Sequence, residues 1–214
     1  MLRNKRLPAG VLTYLITRGE ARSSNFSIKK AEILETVRRA VDSKIKLIQI
    51  REKQLPAKLL FDLAFEASAN TRGTGTKILI NGRADIALAA NADGVHLPAD
   101  SLPADVTRLT FPKELIIGVS AHSHAEAEFA ETKGADFVCF GPVFESPEKG
   151  EPKGLDELQR ICKILDGFPV IALGGINETN YKSVLDRGAA GFAAIRFLND
   201  PDSLRRLSED LTDE

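Results

Sequence analysis

The chain is poor in cysteine, has almost no net charge and lacks any long apolar run. Each shortage removes a class of function. Its two cysteines, Cys139 and Cys162, show no metal-ligand spacing, and a reduced cytoplasmic setting is the simplest expectation. The 29 basic and 30 acidic side chains leave a net charge of −1, with no basic block, so nucleic acid is not an expected partner. No stretch approaches the ~20 apolar residues that cross a bilayer, so no membrane partner is expected. No G-x-G-x-x-G follows the first strand-like run, which counts against a dinucleotide fold. The basic start, Arg3 to Arg6, followed by apolar residues from Val11, mimics a signal peptide. No small-residue cleavage site follows, and the apolar run is needed as a strand. Residues 1–10 are therefore expected to form a short solvated tail, and residues 11–214 one domain. A chain of this length can bury about 70% of its unfolded surface in a single core.

What is present is a strict alternation. Apolar runs of strand length fall at 11–17, 47–51, 77–81, 94–97, 115–120, 137–140, from Pro169 to Leu173, and at 191–195. Between and after them lie helix-period segments at 31–42, 56–69, 84–90, 103–109, 125–132, 155–165, 178–187 and 201–211. A weak repeat, Asn91-Ala92-Asp93-Gly94, Gly134-Ala135-Asp136-Phe137 and Gly188-Ala189-Ala190-Gly191, marks helix stops that lead into strands. Alternation argues for a parallel sheet. Eight units argue for closure into a single (β/α)8 TIM barrel, an α/β fold.

Barrel sites lie at the carboxyl ends of the strands, so polar residues there are the candidates. The seventh strand runs into Gly174-Gly175-Ile176. Paired glycines let backbone amides approach an anion closely, and the loops after strands seven and eight are the usual phosphate site. An ordinary tight turn is the alternative. Gly175→Val is expected to remove a preference for phosphorylated ligand while leaving the protein folded. The second strand ends in Gln49-Ile50-Arg51-Glu52-Lys53, and alternation puts Gln49, Arg51 and Lys53 on one side. Two cations and an amide suit a pyrophosphate; a solvated charge cluster is the bland alternative. Asn81 ends strand three, and Arg83 there reads as structural. His96 reads as a packing histidine before a catalyst. Asp100 or Ser101 is a candidate cap for the short helix after it. Ser123 with Glu126 forms a candidate capping box, which leaves Ser120 and His122 for the mouth. The loop after strand six, with Ser146 and Lys149, is the longest on that face and the lid candidate. Cys139 reads as a core residue. Arg196 either reaches an anion beside Gly191 or pairs with Asp200 or Asp202.

Taken in order, Gln49-Ile-Arg-Glu-Lys53, Ile80-Asn-Gly-Arg83, Ala92-Asp-Gly-Val-His96, Gly118-Val-Ser-Ala-His122, Phe140-Gly-Pro-Val-Phe144, Lys149 and Gly174-Gly-Ile-Asn177 resemble thiamine phosphate synthase and its sister, the thiazole tautomerase. The resemblance runs through nearly the whole chain. It implies a transferase that joins a hydroxymethylpyrimidine pyrophosphate to a thiazole phosphate, with Arg51, Lys53 and Lys149 acting on the leaving group; His122 is the catalytic candidate for the isomerase branch. It implies substrate contacts from Gln49, Asn81, Ser120, Gly174 and Gly175; Ser146, Ile176, Gly191 and Arg196 join them as candidates from their place in the loops at the mouth. Three positions depart from the synthase pattern. Gly82 and Ser101 stand where metal-binding aspartates are expected, and Arg196 stands for a serine. Magnesium is thus kept open as a cofactor at a weakened site, with Asp100 as its remaining carboxylate. Pro142 replaces the histidine that the tautomerase pattern asks for. The isomerase and a non-catalytic binder of a thiamine precursor or product are the two alternatives. Small phosphorylated thiazole and pyrimidine molecules are the expected ligands, and a homodimer is kept open.

Overall fold

A computed structural model describes residues 6–146 and 150–211. Its first half contains β1 (Leu12–Ile16), α1 (Phe26–Asp42), β2 (Leu47–Ile50), α2 (Ala57–Thr71), β3 (Lys77–Asn81), α3 (Ala84–Ala89), β4 (Gly94–Leu97) and α4 (Ala104–Thr110). The second half contains β5 (Ile116–Ala121), α5 (His124–Thr132), β6 (Phe137–Phe140), α6 (Gly154–Ile164), β7 (Val170–Leu173), α7 (Tyr181–Asp186), β8 (Gly191–Ala194) and α8 (Pro201–Asp210). The strands pair in parallel in chain order, and β8 closes on β1. The single (β/α)8 barrel is the fold. No helix among the described residues is long and apolar enough to cross a membrane.

Alternation along the strands sorts the apolar residues into two cores. Leu12, Tyr14, Ile16, Leu47, Leu79, Ile116, Phe137, Cys139, Ile171 and Ala193 fill the barrel interior. Their neighbours, among them Leu15, Ile48, Ile78, Val95, Ile117, Val138 and Phe192, pack outward beneath the helices. A period of two thus places polar residues as firmly as apolar ones: Gln49, two residues past Leu47, continues the inner row.

The helix-stop repeat has a physical basis. Lys44, Asn91, Gly134 and Gly188 all adopt positive φ, 57°, 52°, 83° and 90°. In each case the next amide reaches back five residues, as in Ala92 N to Ala87 O and Ala135 N to Ala130 O. These are left-handed caps with the bond pattern of the Schellman motif, and they end α1, α3, α5 and α7. The aspartates that follow two of them brace the preceding strand: Asp93 accepts from Ile78 N at 2.9 Å and Asp136 from Ile117 N at 2.7 Å.

Two helix starts differ from expectation. α1 begins at Phe26, five residues before position 31, because a 3-10 turn at Ser23–Asn25 feeds it and Asn25 accepts from Arg22 N. Its first turn carries too few apolar residues to show a period. α7 begins at Tyr181 and not at 178, because Asn177 and Asn180 bind nearby amides and hold residues 177–180 as a turn. The expected solvated tail is also corrected. Arg6 pairs with the buried Asp136 at 2.6 Å, and Leu7 packs against the interior core. The N-terminal segment, as far as it is described, helps close the bottom of the barrel.

Candidate active site

The upper end of β2 is set by its neighbour. Thr17 Oγ1 accepts from Arg51 N at 2.8 Å. Glu52 points the other way and is 2% exposed. Its two oxygens accept from Gly19 N at 3.1 Å and Ala21 N at 2.8 Å, tying the segment after β1 to the segment after β2. With Glu52 used as a clamp, Arg51 and Lys53 have no ion pair among the described residues. Lys53 and Asn81 share a cleft of about 240 Å³, lined also by Ile50, Leu55 and Gly82. The larger cleft, about 700 Å³, opens near Lys77, Asp93 and Glu114, around the amino ends of β3 to β5 and away from these cations.

Below the cations runs a buried polar row. Tyr14 Oη lies 3.2 Å from His96 Nδ1, and His96 Nε2 lies 2.9 Å from Ser120 Oγ. Gln49 is 1% exposed, and its Nε2 has no hydrogen-bond partner among the described residues. Phe137 wedges the row from one side, with ring centroids 5.6 Å from Tyr14 and 6.1 Å from His96. A Cβ at Gly118 would stand 2.2 Å from Phe137 Cζ, so glycine there makes room for the wedge. His96 is therefore satisfied on both nitrogens, as a packing histidine should be. Burial first, and the charge of Arg51 second, drive its pKa down from 6.5 to about 3. The unfolded chain takes up a proton that the folded one refuses, so stability should fall as pH drops below about 6.5. The loss should approach 1.4 kcal/mol per pH unit, continuing towards pH ~3. Urea titrations from pH 7 to 5 should show this extra slope, and His96→Gln should flatten it. Equal slopes in the two proteins would contradict a neutral His96.

The glycine pair has a structural requirement of its own. Gly174 and Gly175 have φ of 99° and 66°. A Cβ on Gly174 would meet Pro142 Cα at 2.5 Å, and one on Gly175 would meet Glu145 O at 2.4 Å. The loop after β6 thus packs directly on the pair, and Gly175→Val would strain the backbone and displace that loop. This corrects the expectation of a folded, ligand-selective variant. The amides of Gly174, Gly175 and Ile176 still find no acceptor among the described residues, while the Ile176 side chain is buried in the outer core. Gly191 is misplaced by the sequence reading. It opens β8, pairs with Leu12 and Ile171, and a Cβ there would lie 2.0 Å from Leu12 O. It is a close-packing glycine at the amino end of its strand, away from the mouth. Arg196, just past β8, is exposed and makes no ion pair among the described residues; Asp200 instead caps α8 through Ser203 N. Ser146 is half-buried. Lys149 lies outside the described residues.

At the ends of β3 and β4 the residues do not build a magnesium site. Gly82 offers no side chain, and its φ of 63° suits glycine. Arg83 forks onto Asp85 at 2.8 and 2.6 Å, so that carboxylate is engaged. Ser101 Oγ donates to Leu102 O, and Asp100 is exposed. Neither of the last two caps α4, whose N-cap is Pro103. Among the described residues no group of three or more His, Cys, Asp or Glu side chains could hold a metal ion. At the end of β5, Ser123 caps α5 by accepting from Glu126 N, as expected. Glu126 returns its carboxylate to His122 N, one residue earlier than a standard box. His122 Nδ1 lies 2.7 Å from Gly141 O, which fixes the ring at the edge of the mouth.

The profile described as thiamine monophosphate synthase matches residues 13–198, from β1 to just past β8. The chain belongs to this family. Thiamine-phosphate synthase of Syntrophomonas wolfei is 39% identical over 168 residues, covering 78% of this chain and 80% of the relative. That of Moorella thermoacetica is 41% identical over 165 residues, covering 76% and 78%. Among solved structures, thiamine phosphate pyrophosphorylase from Pyrococcus furiosus superposes with a TM-score of 0.78 at 32% identity, over 99% of both chains. Against the family's expected residues, the structure brings Gln49, Arg51, Lys53, Asn81 and Ser120 to one end of the barrel. Sequence reasoning missed Tyr14 and Glu52. The inner-row phase would have found Tyr14, and the outward phase of Glu52 would have marked it as a clamp.

Proposed function

We propose that this barrel is a thiamine phosphate synthase. It joins hydroxymethylpyrimidine pyrophosphate to a thiazole phosphate and releases pyrophosphate. The bond between the pyrimidine methylene carbon and the pyrophosphate oxygen breaks, and the thiazole nitrogen bonds to that carbon. The observation that carries the reading is the pair Arg51 and Lys53, which make no ion pair among the described residues, above the buried Gln49 Nε2, which has no hydrogen-bond partner among them. Such chemistry needs charge stabilisation on the leaving group more than acid–base catalysis, and two cations on one strand end supply it. A buried orphan donor calls for a partner; the pyrimidine ring gives Gln49 one. Asn81 and Ser120 contact the same substrate, with Ser146 and Lys149 on the loop above. The free amides of Gly174, Gly175 and Ile176 take the thiazole phosphate, and Arg196 adds a charge where this family usually has a serine. Asp100, exposed after β4, is the carboxylate that would be offered to magnesium there. A single exposed carboxylate leaves most of the ion's shell to other ligands, and no step depends on it here.

The isomerase alternative has His122 in its favour, since its ring is anchored through Nδ1 and its Nε2 has no partner among the described residues. One set of incubations separates the readings. The synthase forms thiamine phosphate from both substrates with magnesium. An isomerase converts the thiazole tautomer without the pyrimidine. A binder does neither, yet is stabilised by ligand. For the phosphate site, ligand at about a hundred times its dissociation constant should stabilise the fold by ~2.7 kcal/mol. Thiamine phosphate should reach that shift at lower concentration than thiamine; identical titrations would remove the 174–176 amides from the site.

A further inference from the structure

The row beneath the mouth is a directional chain of hydrogen bonds. We propose that Tyr14 and His96 act as positioning residues that turn the Ser120 hydroxyl into a donor for the anion bound above it. The inference rests on the synthase reading, because it assumes a pyrophosphate against Ser120.

The argument is one of proton counting. His96 is buried and neutral, so it carries one ring proton and has two possible arrangements. With the proton on Nδ1, the ring donates to Tyr14 and accepts the Ser120 proton at Nε2. Ser120 then presents only lone pairs upward, which an anion repels. With the proton on Nε2, the ring donates to Ser120 Oγ, and the serine proton is free to point at the anion. Nδ1 must then accept, and Tyr14 Oη at 3.2 Å is the group placed to donate to it. Burial raises the Tyr14 pKa well above its usual range, so the phenol keeps that proton. Gln49 lies beside the phenol and acts to lower its pKa, a weaker effect than burial, while its Nε2 meets no acceptor at full hydrogen-bond geometry among the described residues. Phe137, in the space that Gly118 leaves open, packs on both rings and fixes their distance. A bound anion therefore selects the second arrangement. The ring changes tautomer: the N–H bond at Nδ1 breaks and one forms at Nε2, while the Tyr14 and Ser120 hydroxyl protons turn to their new partners. The row holds the same number of protons before and after.

The experiment uses the whole protein and inorganic pyrophosphate as the probe. In ¹⁵N-histidine-labelled protein the His96 signals are identified by their loss in His96→Gln. At saturating pyrophosphate the ring proton should sit on Nε2. A proton on Nδ1 in the saturated complex overturns the proposal. Calorimetry gives an independent readout. Tyr14→Phe keeps the ring and its packing, and should weaken pyrophosphate binding about three- to tenfold, the worth of one hydrogen bond. In Ser120→Ala the same change should cost nothing further, since the chain then ends before the anion. Equal losses in both backgrounds overturn the proposal, because they show Tyr14 acting without Ser120. His96→Gln, which can still donate to Ser120, should bind better than His96→Leu; equal binding counts against it. Failure of the synthase reading looks different: wild-type protein and Arg51→Ala would then bind pyrophosphate equally poorly.

Discussion

Arg51→Ala should lower kcat/KM for thiamine phosphate formation by about 10²- to 10³-fold, the usual cost of removing one fixed donor to developing negative charge. The melting temperature should hardly move. Arg51 is half-buried and has no carboxylate partner among the described residues, so its loss strands no opposite charge there. Arg51→Lys should fall between the two, because an ammonium keeps the charge and loses the two-pronged geometry. A second effect follows from proximity. The Arg51 charge is one of two causes that hold the His96 pKa down, so that pKa should rise in Arg51→Ala. Steady-state kinetics over a range of both substrates measures the main effect, and a loss smaller than about tenfold would remove Arg51 from the leaving-group site.

The largest stability effect should come from the opposite end. The Asp136 carboxylate is 1% exposed and shared by Arg6 at 2.6 Å, by Arg108 and by Ile117 N at 2.7 Å. Asp136→Ala leaves Arg108, whose side chain is 17% exposed, without its carboxylate partner, with only the Gly134, Lys113 and Leu115 carbonyls still accepting from it. Breaking a buried pair in this way costs about 3–5 kcal/mol, which corresponds to a fall in Tm on the order of 10 °C for a chain of this size. Arg6→Ala should cost about 1 kcal/mol or less, since that side chain is 37% exposed and its ion pair is screened. Chemical denaturation reads both. The fraction of Asp136→Ala that folds should turn over normally, and a kcat defect matching the stability loss would contradict the separation of the two ends.

Strand period made much of this legible beforehand. β3, β4 and β6 lie where the apolar runs place them, and Gln49 falls on the inner row because a period of two admits no other side once Leu47 is inside. What period cannot supply is the end of the strand at which a glycine sits in three dimensions. Gly191 and Gly174 look alike as glycines flanking strands. One begins its strand against the Leu12 carbonyl and the other follows its strand beneath the loop after β6. Nor does period reveal which of two adjacent charges is consumed. Glu52 and Lys53 differ only in phase, and the partners of Glu52 are backbone amides some thirty residues earlier. The Tyr14–His96–Ser120 row joins three strands, and no local spacing encodes it.

The four left-handed caps at Lys44, Asn91, Gly134 and Gly188 recur after every second helix, all on the face where strands begin. The barrel is in this respect a ring of four two-unit modules fastened at their base. Its tolerance to change should be polarised along the axis: substitutions at the base lower stability, and at the rim the exposed side chains, unlike Glu52 and the Gly174–Gly175 pair, can change with little effect on the fold. That division leaves the exposed Arg196 free to vary without reopening the question of whether the ring closes.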